Sequence, residues 1–127
     1  MRNQKGFSLV EVLVSLALIG VLTTGFLGAM SNATKGAIMN DRIDTSRALA
    51  QGQMEYVKKL AFSTNATVYP PDPNMVNGSN QFINYPGYSV AISASNAAQR
   101  SASIQTITVT IFYNNTAAAM LQDCKAQ

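Results

Sequence analysis

Histidine is absent from this 127-residue sequence, and cysteine occurs once, as Cys124. No His/Cys metal cluster and no Cys–His nucleophile pair can be assembled from such a set. A lone thiol also excludes an intramolecular disulfide, and Cys124 reads as a small, half-buried residue of the last strand. Charge is thin as well: 12% of residues are charged against 47% apolar. That balance fits one anchored globular domain, and neither a disordered chain nor a multidomain enzyme. After Lys59 the acidic residues are Asp72 and Asp123, too few and too far apart for a local calcium loop or for the paired carboxylates of glycoside hydrolysis. Gly-rich phosphate motifs are missing. The expectation is therefore no enzyme, no cofactor and no metal. Basic residues beyond the first few positions (Lys35, Arg42, Arg47, Lys58, Lys59, Arg100 and Lys125) are scattered, so nucleic acid is not an expected partner.

What is present is a long apolar run. From Phe7 to Met30 the only ionisable side chain is Glu11, and about twenty helical residues suffice to cover a bilayer core of ~30 Å. Arg2 and Lys5 precede the run, which by the positive-inside rule puts the amino terminus in the cytoplasm and everything after Met30 outside. The expected location is the inner membrane, crossed once, before the chain passes outward. Glu11 needs compensation, because a charge deep in a bilayer costs on the order of 2.5–3.5 kcal/mol.

The basic leader ending in Lys5-Gly6, then Phe7, then Glu11 as the fifth residue after Gly6, resembles the class III signal of type IV prepilins and pseudopilins. The resemblance covers about the first thirty residues. It implies that a prepilin peptidase cleaves after Gly6, that the new Phe7 amine is methylated, and that Glu11 pairs with the Phe7 amine of a neighbouring subunit. It also implies, as partners, other pilins or pseudopilins of one filament, an inner-membrane assembly platform, and membrane lipid before assembly. A carboxylate in apolar surroundings is stabilised by a cation brought to it, and a head-to-tail contact that does not close generates a helical fibre. Many pilins close a carboxy-terminal loop with a disulfide, and this chain departs from that pattern. Two other readings compete for the same residues: a secretory signal cut after Ser31-Asn32-Ala33, for which the apolar run is too long, and an uncleaved anchor.

Residues 7 to about 62 read as one helix, with Gly20, Gly25, Gly28, Gly36 and Gly52 as weak spots and no proline. Gly25, Ala29 and Ala33 place small residues on one face, where another helix backbone can approach. Beyond Ser31 the pattern turns amphipathic: Met39, Ile43, Ser46, Ala50, Met54, Val57 and Ala61, widened by Leu49, Tyr56 and Leu60. The stretch from Ala48 to Lys58 is similar to the corresponding helix of the minor-pilin and pseudopilin branch known by the letters V and I.

All four prolines lie between Pro70 and Pro86, in a turn-rich surface excursion from Ser63 to Tyr88. Alternation at Tyr88, Val90, Ile92 and Ala94, and at Ile107, Val109, Ile111 and Tyr113, predicts two strands buried on one face. They are joined by a loop at Asn96–Ser101. Asn114-Asn115 makes a two-residue turn into a last strand over Thr116 to Gln122, and Thr67 to Tyr69 is a candidate fourth strand. A sheet this small cannot hold itself together, so it needs the amphipathic helix. The fold class is α+β: a long amino-terminal helix on an antiparallel meander of three to four strands. The expected division is a leader at 1–6, a transmembrane and assembly helix at 7–30, an amphipathic helix at 31–62, and a β domain at 63–127 with its long loop at 63–87.

The functional expectation is a structural subunit, a minor pilin or pseudopilin of a type IV pilus or a type II secretion pseudopilus. Its alternatives are a short major pilin, or a filament-tip module binding DNA, a surface or a secreted protein through the Ser63–Tyr88 loop and the Arg100 loop.

Overall fold

The computed structural model describes residues 6–63, 65–96 and 104–127. One helix, α1 (Leu9–Lys59), precedes three strands, β1 (Tyr88–Asn96), β2 (Ile104–Tyr113) and β3 (Thr116–Ala126). The strands pair antiparallel in the order β1-β2-β3. The chain divides into two compact units, Met1–Met39 and Asn40–Gln127.

In the first unit every described residue is exposed, including the large apolar side chains from Phe7 to Met30. Several hydroxyls in this unit are satisfied by the helix itself. Ser15 and Thr23 donate to the carbonyls of Glu11 and Ile19 at 2.7 Å each, and Thr34 donates to Met30 O at 3.0 Å. Such back-bonding spares these hydroxyls a partner from water, which suits an apolar helix. The helix is continuous through Gly20, Gly25 and Gly28, and a Cβ at any of the three would meet open space.

In the second unit the helix buries Ser46, Leu49, Ala50, Gln53, Met54 and Val57. Their 3-4 spacing is the apolar stripe expected of a helix lying on a sheet. The stripe ends sooner than the sequence suggests: Met39 is 66% exposed and Ala61 is exposed. Facing it, the inward residues of the strands are Tyr88, Val90, Ile92 and Ala94 on β1 and Ile107, Val109 and Ile111 on β2. The Asn114-Asn115 turn takes positive φ at both residues, 48° and 63°, the conformation that matches the twist of a two-residue hairpin. Gly87 (φ 85°) lies beneath it, so close that a Cβ there would come within 3.0 Å of Asn114 Oδ1.

The sheet has three strands, within the expected three to four: among the described residues the candidate Thr67–Tyr69 forms no strand and gives β1 a single rung, from Ala94 N to Thr67 O at 2.8 Å. Two other expectations are corrected. β3 continues to Ala126 rather than stopping at Gln122. Cys124 is exposed, not half-buried, because it pairs with Thr106 on the face of the sheet away from the helix. A bulge between Ile111 and Phe112, opposite Ala117 to Ala119, sets this alternation. The linking loop at Asn96–Ser101, with Arg100, lies outside the described residues apart from Asn96.

The buried neighbour of Cys124 is Lys125. Its Nζ donates to Val57 O and Leu60 O, each at 2.5 Å, and lies 4.9 Å from the centre of the Tyr69 ring. A cation on the last carbonyls of a helix satisfies acceptors that have no intrahelical partner and complements the negative end of the dipole. Burial pushes the Lys125 pKa down from the ordinary lysine range. A base with a depressed folded pKa binds its proton less tightly folded than unfolded. Stability therefore rises with pH between the folded value and the unfolded value of ~10.4. Lys125→Met should lose about 1–2 kcal/mol through the stranded carbonyls. It should also abolish part of the alkaline gain, which parallel thermal melts of both proteins from neutral pH to pH ~10 would show.

On the same face of the strand, where it reaches solvent, Asp123 accepts from Lys58 Nζ and from the Cys124 N–H. These bonds hold its carboxyl below the usual carboxylate range. Whatever the pair contributes is thus present above the unfolded carboxylate pKa and lost as acid protonates Asp123.

The loop from Ser63 to Gly87 is more than a surface excursion. Tyr69, Val76 and Phe82 all reach the core. Val76 and Phe82 bridge one another, and Asn77 Oδ1 accepts from the amides of Ser79 and Gln81 to turn the chain between them. Two buried amides hold the loop down. Gln53 Oε1 accepts from Asp72 N at 2.9 Å. Gln105 Oε1 accepts from the Tyr69 hydroxyl at 2.7 Å, while its Nε2 donates to Ser63 O at 2.6 Å.

Candidate functional site

The residues singled out by the sequence, Gly6, Phe7 and Glu11, fall together at the amino-terminal end of α1. Gly6, Phe7 and Ser8 are exposed and not helical, and Phe7 is 80% exposed. An extended, accessible backbone is what a peptidase requires of a scissile bond. Of the leader itself only Gly6 is described; Arg2 and Lys5 lie outside the described residues.

The helix starts where it does because of Ser8. Its carbonyl accepts from Glu11 N at 2.9 Å and from Val12 N at 3.2 Å, which makes Ser8 the cap residue and Glu11 the third residue of the first turn. Ser8-Leu9-Val10-Glu11 thus has the S-x-x-E spacing of a capping box. That signal stands in the sequence and is easily passed over when Glu11 is considered only as a charge in an apolar run. A carboxylate in the first turn also faces the positive end of the helix dipole.

Among the described residues Glu11 has no ion-pair partner; the pairs present are Asp44–Arg47, exposed on one helix face, and Lys58–Asp123. Around it the helix surface is apolar, with Phe7, Leu9, Val12, Leu13 and Leu16 grouped together. The site therefore presents one acceptor of a cation on an otherwise greasy rod. α1 is long and apolar enough to cross a membrane.

No cluster of three or more His, Cys, Asp or Glu is gathered among the described residues. Asp72, one of the two distant carboxylates, is engaged locally, with its Oδ1 accepting from the backbone and side-chain nitrogens of Asn74. Asp123, the other, is held by Lys58. On the Ser63–Tyr88 loop the exposed apolar side chains are Val68, Ile83 and Tyr85.

Residues 1–27 match the family model described as the prokaryotic N-terminal methylation motif. No curated protein and no solved structure matches the chain. The matched segment contains the non-helical Gly6-Phe7 pair, the Ser8 cap and Glu11, and it ends within the apolar part of α1. The chain thus carries the prokaryotic N-terminal methylation motif at the head of an α+β fold, and that motif supports a type IV pilin-like protein of the kind that prepilin peptidase processes.

Proposed function

We propose that the chain is a structural subunit, a minor pilin or pseudopilin, of a type IV pilus or of a type II secretion pseudopilus. The observation that carries this reading is Glu11: a carboxylate on an exposed apolar helix, with no ion-pair partner among the described residues. Before assembly the helix lies in lipid, spanning the inner membrane once with its amino terminus in the cytoplasm. Cleavage after Gly6 frees the Phe7 amine, which is then methylated. Each subunit thereafter carries one cation and one anion four residues apart in sequence. Glu11 of one copy meets the Phe7 amine of the next, each neutralising a charge that hydrocarbon penalises. The contact repeats without closing, so a fibre grows. The rest of the chain follows as an amphipathic helix and a β domain exposed outside the membrane, with the assembly platform and other pilins as partners.

A second reading, a filament-tip binding module, is favoured by the loop. It is pinned to the core through Tyr69, Val76 and Phe82 while presenting Val68, Ile83 and Tyr85 to solvent. Fixed backbone with exposed apolar and aromatic side chains is suited to recognition.

Both readings place the chain in a fibre. Fibres sheared from cells and separated from membranes should contain it, in proportion to the fibre's other pilins. Its confinement to the membrane fraction of piliated or secreting cells would overturn the assignment.

A further inference from the structure

The three-stranded sheet has two edges, and the chain treats them differently. Along β1 the outward amide of Val90 donates to Asn80 O at 2.9 Å, that of Ala94 donates to Thr67 O at 2.8 Å, and Gln81 bridges Ser89. The segment before β1 closes that edge. Along β3, among the described residues, no backbone hydrogen bond reaches beyond β2.

The register identifies the free groups. Because the Val90 amide points outward, that of Ala91 points to β2, and its partner Thr110 faces β1. Met120, opposite Thr110 on β3, therefore turns its amide and carbonyl to the open edge. The same alternation places Gln122 and Cys124 there, and the Cys124 N–H is already bonded to Asp123 Oδ1 at 2.7 Å.

Natural sheets shield open edges with charges, prolines or bulges. β3 has its charged residues, Asp123 and Lys125, near its carboxy-terminal end, and the stretch from Thr116 to Gln122 has none. Met120 in the middle of that stretch is 65% exposed.

We propose that this edge is an interaction surface for the β3 edge of a second copy of the chain, paired antiparallel so that two sheets become one. Free amides and carbonyls at ladder spacing are matched by another extended backbone. Joining β3 of one copy to β1 of the next is blocked, because the outward amides of Val90 and Ala94 are taken. β3 against β3 has no such obstacle. The contact is isologous and closes as a pair about Gln122, which sets Met120 opposite Cys124 and Asp123 opposite Leu121, so that no two charged side chains stand opposite one another. A ladder of this length buries less than the ~1,200 Å² of a standard interface, so pairing belongs to crowded copies, in a membrane or between fibres lying side by side. The contact is built from the β3 edge alone, while the crowding that favours it rests on the proposed function.

The test uses the full chain, concentrated in detergent micelles and carrying Cys124→Ser. Gln122→Cys on the open edge is compared with Ser93→Cys on β1 under mild oxidation. Disulfide-linked dimer is expected from the first and not from the second. Met120→Pro removes one outward donor without breaking a rung to β2, and Met120→Lys places a positive charge on the uncharged stretch of each paired edge without changing the backbone. Each should cut the Gln122→Cys dimer about tenfold, as expected when one or two ladder bonds are lost, with circular-dichroism melts confirming that the fold persists. Equal cross-linking at Ser93→Cys, no dimer through β3, or a dimer indifferent to both Met120 substitutions would overturn the proposal. So would a disulfide formed in native membranes only with a different protein.

Discussion

Glu11→Ala is expected to leave the chain inserted and cut while removing it from the fibre. The apolar run is sufficient for insertion, and losing a carboxylate makes insertion easier by about 2.5–3.5 kcal/mol at most. The proposed cut falls between Gly6 and Phe7, in backbone that is non-helical and exposed. What the substitution removes is the acceptor for the neighbouring amine. Stranding one partner of a desolvated pair costs on the order of 3–5 kcal/mol, a hundredfold or more in subunit association. In the proposed fibre each internal subunit makes the contact twice, once through its acid and once through its amine, so the deficit is felt at every addition. Membrane fractions should contain normal amounts of processed Glu11→Ala protein, and sheared fibres about a hundredfold less than wild type. The capping box supplies a control. Glu11→Gln keeps a side chain able to serve the first turn yet carries no charge, so it should fail in assembly as Glu11→Ala does. Recovery with Glu11→Gln would mean that the residue serves its own helix instead of the next subunit.

The second large effect belongs to the globular unit. Gln105→Ala leaves the Tyr69 hydroxyl and the Ser63 carbonyl without their partner, and opens space where the side chain was fully buried. Unsatisfied buried groups cost ~1–3 kcal/mol each, so a loss of about 3 kcal/mol and a fall in Tm of 10 °C or more are expected. Gln105→Glu keeps the acceptor for Tyr69 and loses the donor to Ser63. Its buried carboxyl has a raised folded pKa, so the unfolded state gives up the proton first as pH rises, and stability is lost through that window. Thermal melts of the full chain in detergent should show Gln105→Glu weaker at neutral pH than at pH ~4–5, and Gln105→Ala with no such dependence.

These two predictions also mark where the sequence was readable. The helix, the strand alternation at Val90, Ile92, Val109 and Ile111, and the Asn114-Asn115 turn follow from local pattern, because each rests on neighbours a few residues away. The buried glutamines do not. Gln53 and Gln105 look like solvent-facing residues, and only partners 19 and 42 residues distant, Asp72 N and Ser63 O, make them core. The loop hid its anchors for a related reason: Tyr69, Val76 and Phe82 are widely spaced among prolines and turn formers, so no period reveals them. Lys125 deceived in the opposite direction from Cys124. A bulge and four further residues of strand turned the lysine inward to the helix end and the cysteine out. The amino-terminal motif was legible from residue types and spacing alone, because it lies in consecutive residues beside the apolar run and needs no tertiary pocket.

The central claim is that a charge carried on an apolar helix is answered by an amine created when the leader is removed. The most direct measurement is the mass and first residue of the protein isolated from its native membranes or fibres. The account predicts a chain beginning at Phe7 with a methyl group on its amine. A mature chain beginning at Met1 or at Thr34 would contradict it.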